Sequence, residues 1–82
     1  LIAFNPEISD IWFYAGVALD TLGYYEEAFA CCDKVIAIKP DDYHTWHNRG
    51  KALYFLGRYE EAVASYDKAL SLKPNLEQAW YG

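Results

Sequence analysis

The chain has 82 residues, of which 54% are hydrophobic and 18% are aromatic, and its net charge is −5 at neutral pH. This composition is typical of a folded domain and excludes an intrinsically disordered chain, while 2 cysteines are too few for a disulfide scaffold. The excess of 12 Asp and Glu over 7 Lys and Arg predicts that nucleic acid is not a partner.

The hydropathy pattern disfavours a membrane protein. The longest apolar stretch runs from Ile11 to Leu19, nine residues, and ends at Asp20. A membrane-spanning helix needs about 20 such residues, so we expect no membrane contact. Leu1 is not Met and no leader-like segment follows it, so we expect the chain to be part of a longer protein. Two cysteines without a secretion signal make a cytoplasmic localisation the default expectation.

An internal repeat of 34 residues organises the whole chain. Residues 9–42 and 43–76 are identical at 15 of 34 positions when they are aligned without gaps. The same register relates two series of residues, which are Pro6, Pro40 and Pro74, and Trp12, Trp46 and Trp80. We therefore predict complete units at 9–42 and 43–76, the end of a preceding unit at 1–8, and the start of a further unit at 77–82.

Each unit is predicted to form two helices. In the first unit, one helical face carries Trp12, Gly16, Leu19 and Leu22, and another carries Ala28, Cys32 and Val35. Gly23 and Gly57 supply residues that end the first helices, and pairs of glutamates then lie at the positive dipole ends of the second helices. Asp41 and Asp42 can cap the next helix. The predicted helices are 9–22, 26–38, 43–56 and 60–72, with partial helices at 1–4 and 77–82.

Helical hairpins with this period and these intervals resemble tetratricopeptide repeats. The residues that meet the family pattern are Trp12, Gly16, Ala28 and Pro40, then Trp46, Gly50, Ala62 and Pro74, with Tyr66 at an aromatic site. The resemblance implies an all-α fold, a right-handed α-solenoid (superhelix) of antiparallel helix–turn–helix units. A pentatricopeptide RNA-binding repeat has a similar length but needs a basic groove, which the net charge of −5 disfavours.

Five residues depart from the family pattern and are expected to affect local packing, which are Ala15, Leu19, Cys32, Arg49 and Leu53. Arg49 replaces a leucine, and we expect its aliphatic stem to lie over the helix pair while its guanidinium reaches water. Cys32 replaces a phenylalanine and is expected to point between the helices as a small apolar group.

The resemblance also implies where a protein partner binds, because the first helices of successive units line a concave surface in such solenoids. The predicted peptide-groove residues are Asp10, Phe13, Val17, Asp20, His44, His47, Lys51, Tyr54, Gln78 and Tyr81. Large rings on this face are candidate recognition anchors, although they could instead fill gaps beside neighbouring units. Some members of the family hold a C-terminal carboxylate with Lys, Asn and Arg side chains, and only Asn48 matches that clamp.

Catalytic, cofactor and metal sites are not expected. The serines lack a nucleophile-elbow context, and the glycines follow the repeat rather than a phosphate-binding loop, so the chain is predicted not to be an enzyme. Cys31 and Cys32 with His44 and His47 have a spacing that suggests zinc, but the cysteines and histidines are expected on different faces of different helices. A substrate-delivery region of a larger enzyme remains an alternative.

Self-assembly is a second alternative to groove binding. Residues 9–42 carry 7 acids and 2 bases, a net charge of −5, whereas residues 43–76 carry 3 acids and 5 bases, a net charge of +2. Complementary units favour head-to-tail stacking, in which the chain acts as a structural spacer. The ends are predicted to expose Leu1, Ile2, Phe4 and Trp80.

Overall fold

Two helical hairpins, one for each 34-residue unit, make up the fold. The structure is a computed structural model that describes the backbone of residues 6–73 and the side chains of residues 8–73. Its helices are α1 (Pro6–Leu22), α2 (Tyr25–Ile38), α3 (Tyr43–Phe55) and α4 (Tyr59–Leu72), and residues 6–73 contain no strand.

The helix bounds agree with the sequence prediction to within one residue, apart from the start of α1. That helix begins at Pro6 rather than at residue 9, because proline is well suited to the first helical turn, where its missing N–H has no partner to lose. The partial helices predicted at 1–4 and 77–82, and the exposed ends predicted there, lie outside the described residues.

Each helix packs on the helices that precede and follow it in the chain. The contacts join α1 to α2, α2 to α3 and α3 to α4, and α1 touches α3 only lightly. This is the arrangement of an all-α helical-repeat solenoid, as predicted. The right-handed sense of the superhelix stays a prediction.

Glycines end the first helix of each hairpin, as the sequence predicts. Gly23 and Gly57 have φ values of 88° and 83°, in the left-handed region that costs glycine least. The Leu53 carbonyl near the end of α3 accepts hydrogen bonds from the backbone N–H groups of Leu56, at 3.1 Å, and Arg58, at 2.9 Å. The predicted glutamate pairs follow in the first turns of α2 and α4.

Asp42 caps α3, which confirms one of the two predicted capping aspartates. Its Oδ1 accepts a hydrogen bond from the His44 backbone N–H at 3.1 Å, and its Oδ2 accepts one from the Thr45 hydroxyl at 3.2 Å. Such a cap satisfies a free backbone N–H at the start of the helix and stabilises it by about 1 kcal/mol.

The core is made mainly of small side chains, which allow the helices to approach closely. Its buried apolar residues are Ala28, Cys31, Cys32, Val35, Ala52, Leu53, Ala62 and Ala69. A Cβ added to Gly50 would lie 2.9 Å from Cδ1 of the Tyr66 ring, so α3 and α4 could not keep their spacing with a larger residue there.

The predicted packing face of α1 is only partly buried. Gly16 is buried, but Leu22 is 66% exposed and Trp12 is 36% exposed. At the equivalent face of α3, Leu53 is fully buried. The difference arises because α3 lies between α2 and α4, whereas α1 has extensive contacts with α2 alone among the described helices.

Arg49 joins three helices, which corrects the expectation that its guanidinium reaches water. Its Nε donates to Asp33 of α2 at 2.7 Å, and its Nη1 donates to the buried hydroxyl of Ser65 in α4 at 2.6 Å. The guanidinium lies 4.8 Å from the Phe29 ring centre and 5.5 Å from that of Trp46. The side chain is only 22% exposed, so this residue links the two units.

Replacing Arg49 by lysine is expected to lower the free energy of unfolding by about 1–3 kcal/mol, because an ammonium cannot reproduce two divergent hydrogen bonds and stacking on two rings. Chemical denaturation followed by circular dichroism measures the change. Arg58→Lys is the matched control, because Arg58 also makes two hydrogen bonds and lies over the Phe29 ring, but its carboxylate partner Glu61 is three residues away and exposed, so a smaller loss of stability is expected. Equal losses in the two variants would contradict the linking role of Arg49.

Candidate peptide-binding face

The predicted groove residues lie on a surface that helix packing leaves open. Eight of the ten fall within the described side chains, while Gln78 and Tyr81 lie outside them. The exposed residues are Asp10, Val17, His44, His47, Lys51 and Tyr54, and the half-buried residues are Phe13 and Asp20. We call these eight residues the α1–α3 face.

An ion pair crosses the α1–α3 face. Lys51 Nζ of α3 lies 3.1 Å from Asp20 Oδ2 of α1, and the Asp20 side chain is only 16% exposed. The second carboxylate oxygen, Oδ1, is buried and accepts no hydrogen bond from the described residues. The pair holds the two first helices side by side and neutralises both charges, so Asp20 acts as part of the scaffold of the face.

The α3 part of the face continues into a cavity of about 540 Å³. Its lining residues are Tyr43, His44, His47, Tyr66, Ala69, Leu70 and Lys73. The His47 and Tyr66 ring centres are 5.3 Å apart, and those of Tyr43 and His44 are 4.3 Å apart. Burial raises the pKa of Tyr66 above the ordinary value of a phenol. The sequence indicates Tyr66 only as a packing residue, because it is equivalent to Cys32, 34 positions earlier. The structure shows that Tyr66 also lines the cavity.

Tyr54 belongs to a larger group of rings at the end of the molecule where the hairpins turn. The Tyr25 and Phe55 rings stack at 4.9 Å, Phe55 meets Tyr54 at 5.3 Å, and Tyr54 meets Tyr59 at 5.4 Å. We call these four residues the aromatic row. The predicted groove residues do not include Phe55 and Tyr59, because Phe55 is the last residue of α3 and Tyr59 is the first residue of α4.

The described residues do not form a metal site, because no three of their His, Cys, Asp and Glu side chains converge to hold a metal ion. Cys31 and Cys32 are 7% and 6% exposed, so both thiols are buried where the sequence predicted burial for one. No helix in this part of the chain has the length and hydropathy needed to cross a bilayer.

Burial controls the chemistry of both thiols. It raises the pKa of Cys32 to about 12, with a further contribution from the Asp33 carboxylate, and it raises the pKa of Cys31, helped by Glu27. The thiolate is the reactive form of cysteine, so neither side chain is suited to nucleophilic chemistry at neutral pH.

Both cysteines are therefore expected to resist iodoacetamide in the native chain at pH 8 and to react in denaturant, as measured by mass spectrometry. Between the usual thiol pKa of about 8.5 and the raised value, the unfolded chain loses a proton that the folded chain keeps. The free energy of unfolding should thus fall as pH rises through this range, and less so in Cys32→Ala. Rapid native labelling of Cys32 would contradict this account.

Comparisons with protein families identify the repeats. Residues 44–76 match the family described as Tetratricopeptide repeat, and residues 25–56 match the one described as Protein prenyltransferase alpha subunit repeat. The first match takes in α3 and α4, whereas the second pairs α2 with α3, so the two divide one helical array at different points. No curated protein matches the chain significantly. The chain thus carries a repeat of tetratricopeptide type, as its sequence predicts.

Proposed function

We propose that this chain of tetratricopeptide-type repeats is a protein–protein interaction module that binds a peptide or helix of a partner along the α1–α3 face, in the concave groove of the solenoid. Repeats of this type generally mediate protein–protein interaction. The observation that supports the use of this face is its accessibility: six of its eight residues are exposed and none is buried, although the helices that carry them are well packed.

The side chains of the face indicate the chemistry of the ligand. Phe13 and Val17 offer apolar contact on α1, His44 and His47 offer rings with polar atoms on α3, and the Asp20–Lys51 pair cancels its own charge. A face of mixed character with little net charge favours a partly apolar peptide or helix, in which a few buried side chains provide most of the affinity. Capture of a terminal carboxylate is poorly supported, because Asn48 alone matches the clamp and is half-buried.

The experiment compares partners recovered by the wild-type chain and by a Phe13→Ala, Val17→Ala double variant, which touches neither the cavity nor the aromatic row. The matched control, Ile38→Ala with Val63→Ala, removes exposed apolar atoms from the second helices. We expect the face variant alone to lose its partners, and a peptide derived from them to bind it at least tenfold more weakly by calorimetry. Identical partners and affinities in all three proteins would overturn the proposal.

Head-to-tail self-association is a second candidate, favoured by an uncovered surface on the second unit. Ile36 of α2 is half-buried beneath the neighbouring helices, whereas its equivalent 34 residues later, Leu70, is 66% exposed at the cavity. Conversely, Thr45 of α3 is fully buried, whereas its equivalent in α1, Ile11, is 66% exposed. The α1 helix of a second copy would therefore pack on α4 at the cavity, in the way that α3 packs on α2 within one chain.

If copies stack in this way, sedimentation velocity should show mass that increases with concentration, and either Ile11→Glu or Leu70→Glu should abolish the increase. Val63→Glu is the control, because it adds the same charge at an exposed site on the second helix. Higher salt should weaken the association, since the two units carry opposite net charges. A wild-type monomer at concentrations up to about 1 mM would exclude this candidate.

A further inference from the structure

The aromatic row is a continuous set of rings built from three helices. Tyr25 lies at the start of α2, Tyr54 and Phe55 lie at the end of α3, and Tyr59 lies at the start of α4. The Tyr25 and Phe55 rings are nearly parallel, at 15°, whereas the Phe55 and Tyr54 planes meet at 82° and the Tyr54 and Tyr59 planes at 62°. Rings at such different angles present both faces and edges to the surface.

Intramolecular packing does not account for the exposure of this row. Tyr54 and Phe55 are each 52% exposed and Tyr59 is 59% exposed, although their rings contact one another. Leaving large apolar surface in water costs free energy, and contiguous exposed apolar patches mark interaction sites. The row therefore has the character of a recognition surface.

The charges around the row are mostly negative. The helix ends that meet here carry five carboxylates, on Asp20, Glu26, Glu27, Glu60 and Glu61, and one guanidinium, on Arg58. Arg58 makes two hydrogen bonds to Glu61, at 2.7 and 3.0 Å, and Asp20 is paired with Lys51. Among the described residues, Glu26, Glu27 and Glu60 form no ion pair.

We propose that the aromatic row and these three glutamates form a docking surface for an arginine- or lysine-bearing segment of a partner protein. A cation placed over an aromatic face is attracted by the ring quadrupole. The glutamates steer the same cation toward the rings and repel acidic competitors. This surface lies at the turn end of the hairpins, where it shares Tyr54 with the α1–α3 face.

Charge complementarity selects this occupant over others. The favourable position of glutamates at helix starts explains why the acids are there, but it does not explain three exposed rings beside them. An acidic peptide, a nucleic acid or an anionic membrane would be repelled by the glutamates. A purely apolar segment would use the rings while leaving the carboxylates unmatched.

The test uses the whole 82-residue chain and a fluorescein-labelled peptide of alternating arginine and glycine, ten residues long by design. The control peptide replaces each arginine by citrulline, which has the same shape without the charge. Fluorescence anisotropy should show at least tenfold tighter binding of the arginine peptide. Backbone amide NMR shifts on binding should concentrate at residues 24–27 and 54–61.

Variants separate recognition by the rings from simple attraction between charges. Phe55→Ser with Tyr59→Ser should weaken binding at least tenfold, and Tyr59→Ser alone, which keeps the Tyr25–Phe55 stack, should weaken it by a smaller factor. Val63→Ser is the matched control and should have no effect, and circular dichroism verifies the fold of each variant. Glu26→Gln with Glu60→Gln should also weaken binding.

Three results would overturn the proposal: absence of binding to the arginine peptide, binding that the ring variants leave unchanged, or amide shifts that are absent from residues 24–27 and 55–61. The second result would identify the interaction as non-specific charge attraction. None of these results bears on the peptide bound at the α1–α3 face, which is tested with variants on α1.

Discussion

The structure depends on one constraint: each helix packs mainly on its neighbours along the chain. The two inner helices, α2 and α3, have a partner on either side and contain the largest fully buried side chains, which are Leu53, Val35 and Thr45. The outer helices keep apolar side chains such as Ile11 and Leu70 in water. A globular domain would close its core over such residues, whereas a helical array leaves them at its ends.

The fold follows from sequence because its determinants are local and occur twice. A 34-residue period, glycines with positive φ and a capping aspartate locate the helices closely, since each acts within a turn or two of its own position. Burial was less predictable. Leu22 and Leu56 occupy equivalent positions but differ in exposure, because the number of neighbouring helices, rather than the residue, determines what is buried.

The candidate face shows the same division between local and non-local information. A helix that packs through one side leaves the other side free, so periodicity alone identifies the exposed residues. The Asp20–Lys51 pair could not be predicted from the repeat. Asp20 is equivalent to Tyr54 and Lys51 is equivalent to Val17, so the pair occurs once and has no counterpart in the other unit. The Arg49 contacts with Asp33 and Ser65 likewise join residues that are 16 positions away in opposite directions.

Those Arg49 contacts determine how the array responds to stress as well as how it packs. In a linear array, cooperativity depends on the coupling between adjacent units relative to the stability of each unit. By joining α2 of the first unit to α4 of the second through α3, one guanidinium places a polar link across that boundary, on top of the apolar contacts. Loss of either hairpin breaks this link, which favours melting of the two units together over melting of one after the other.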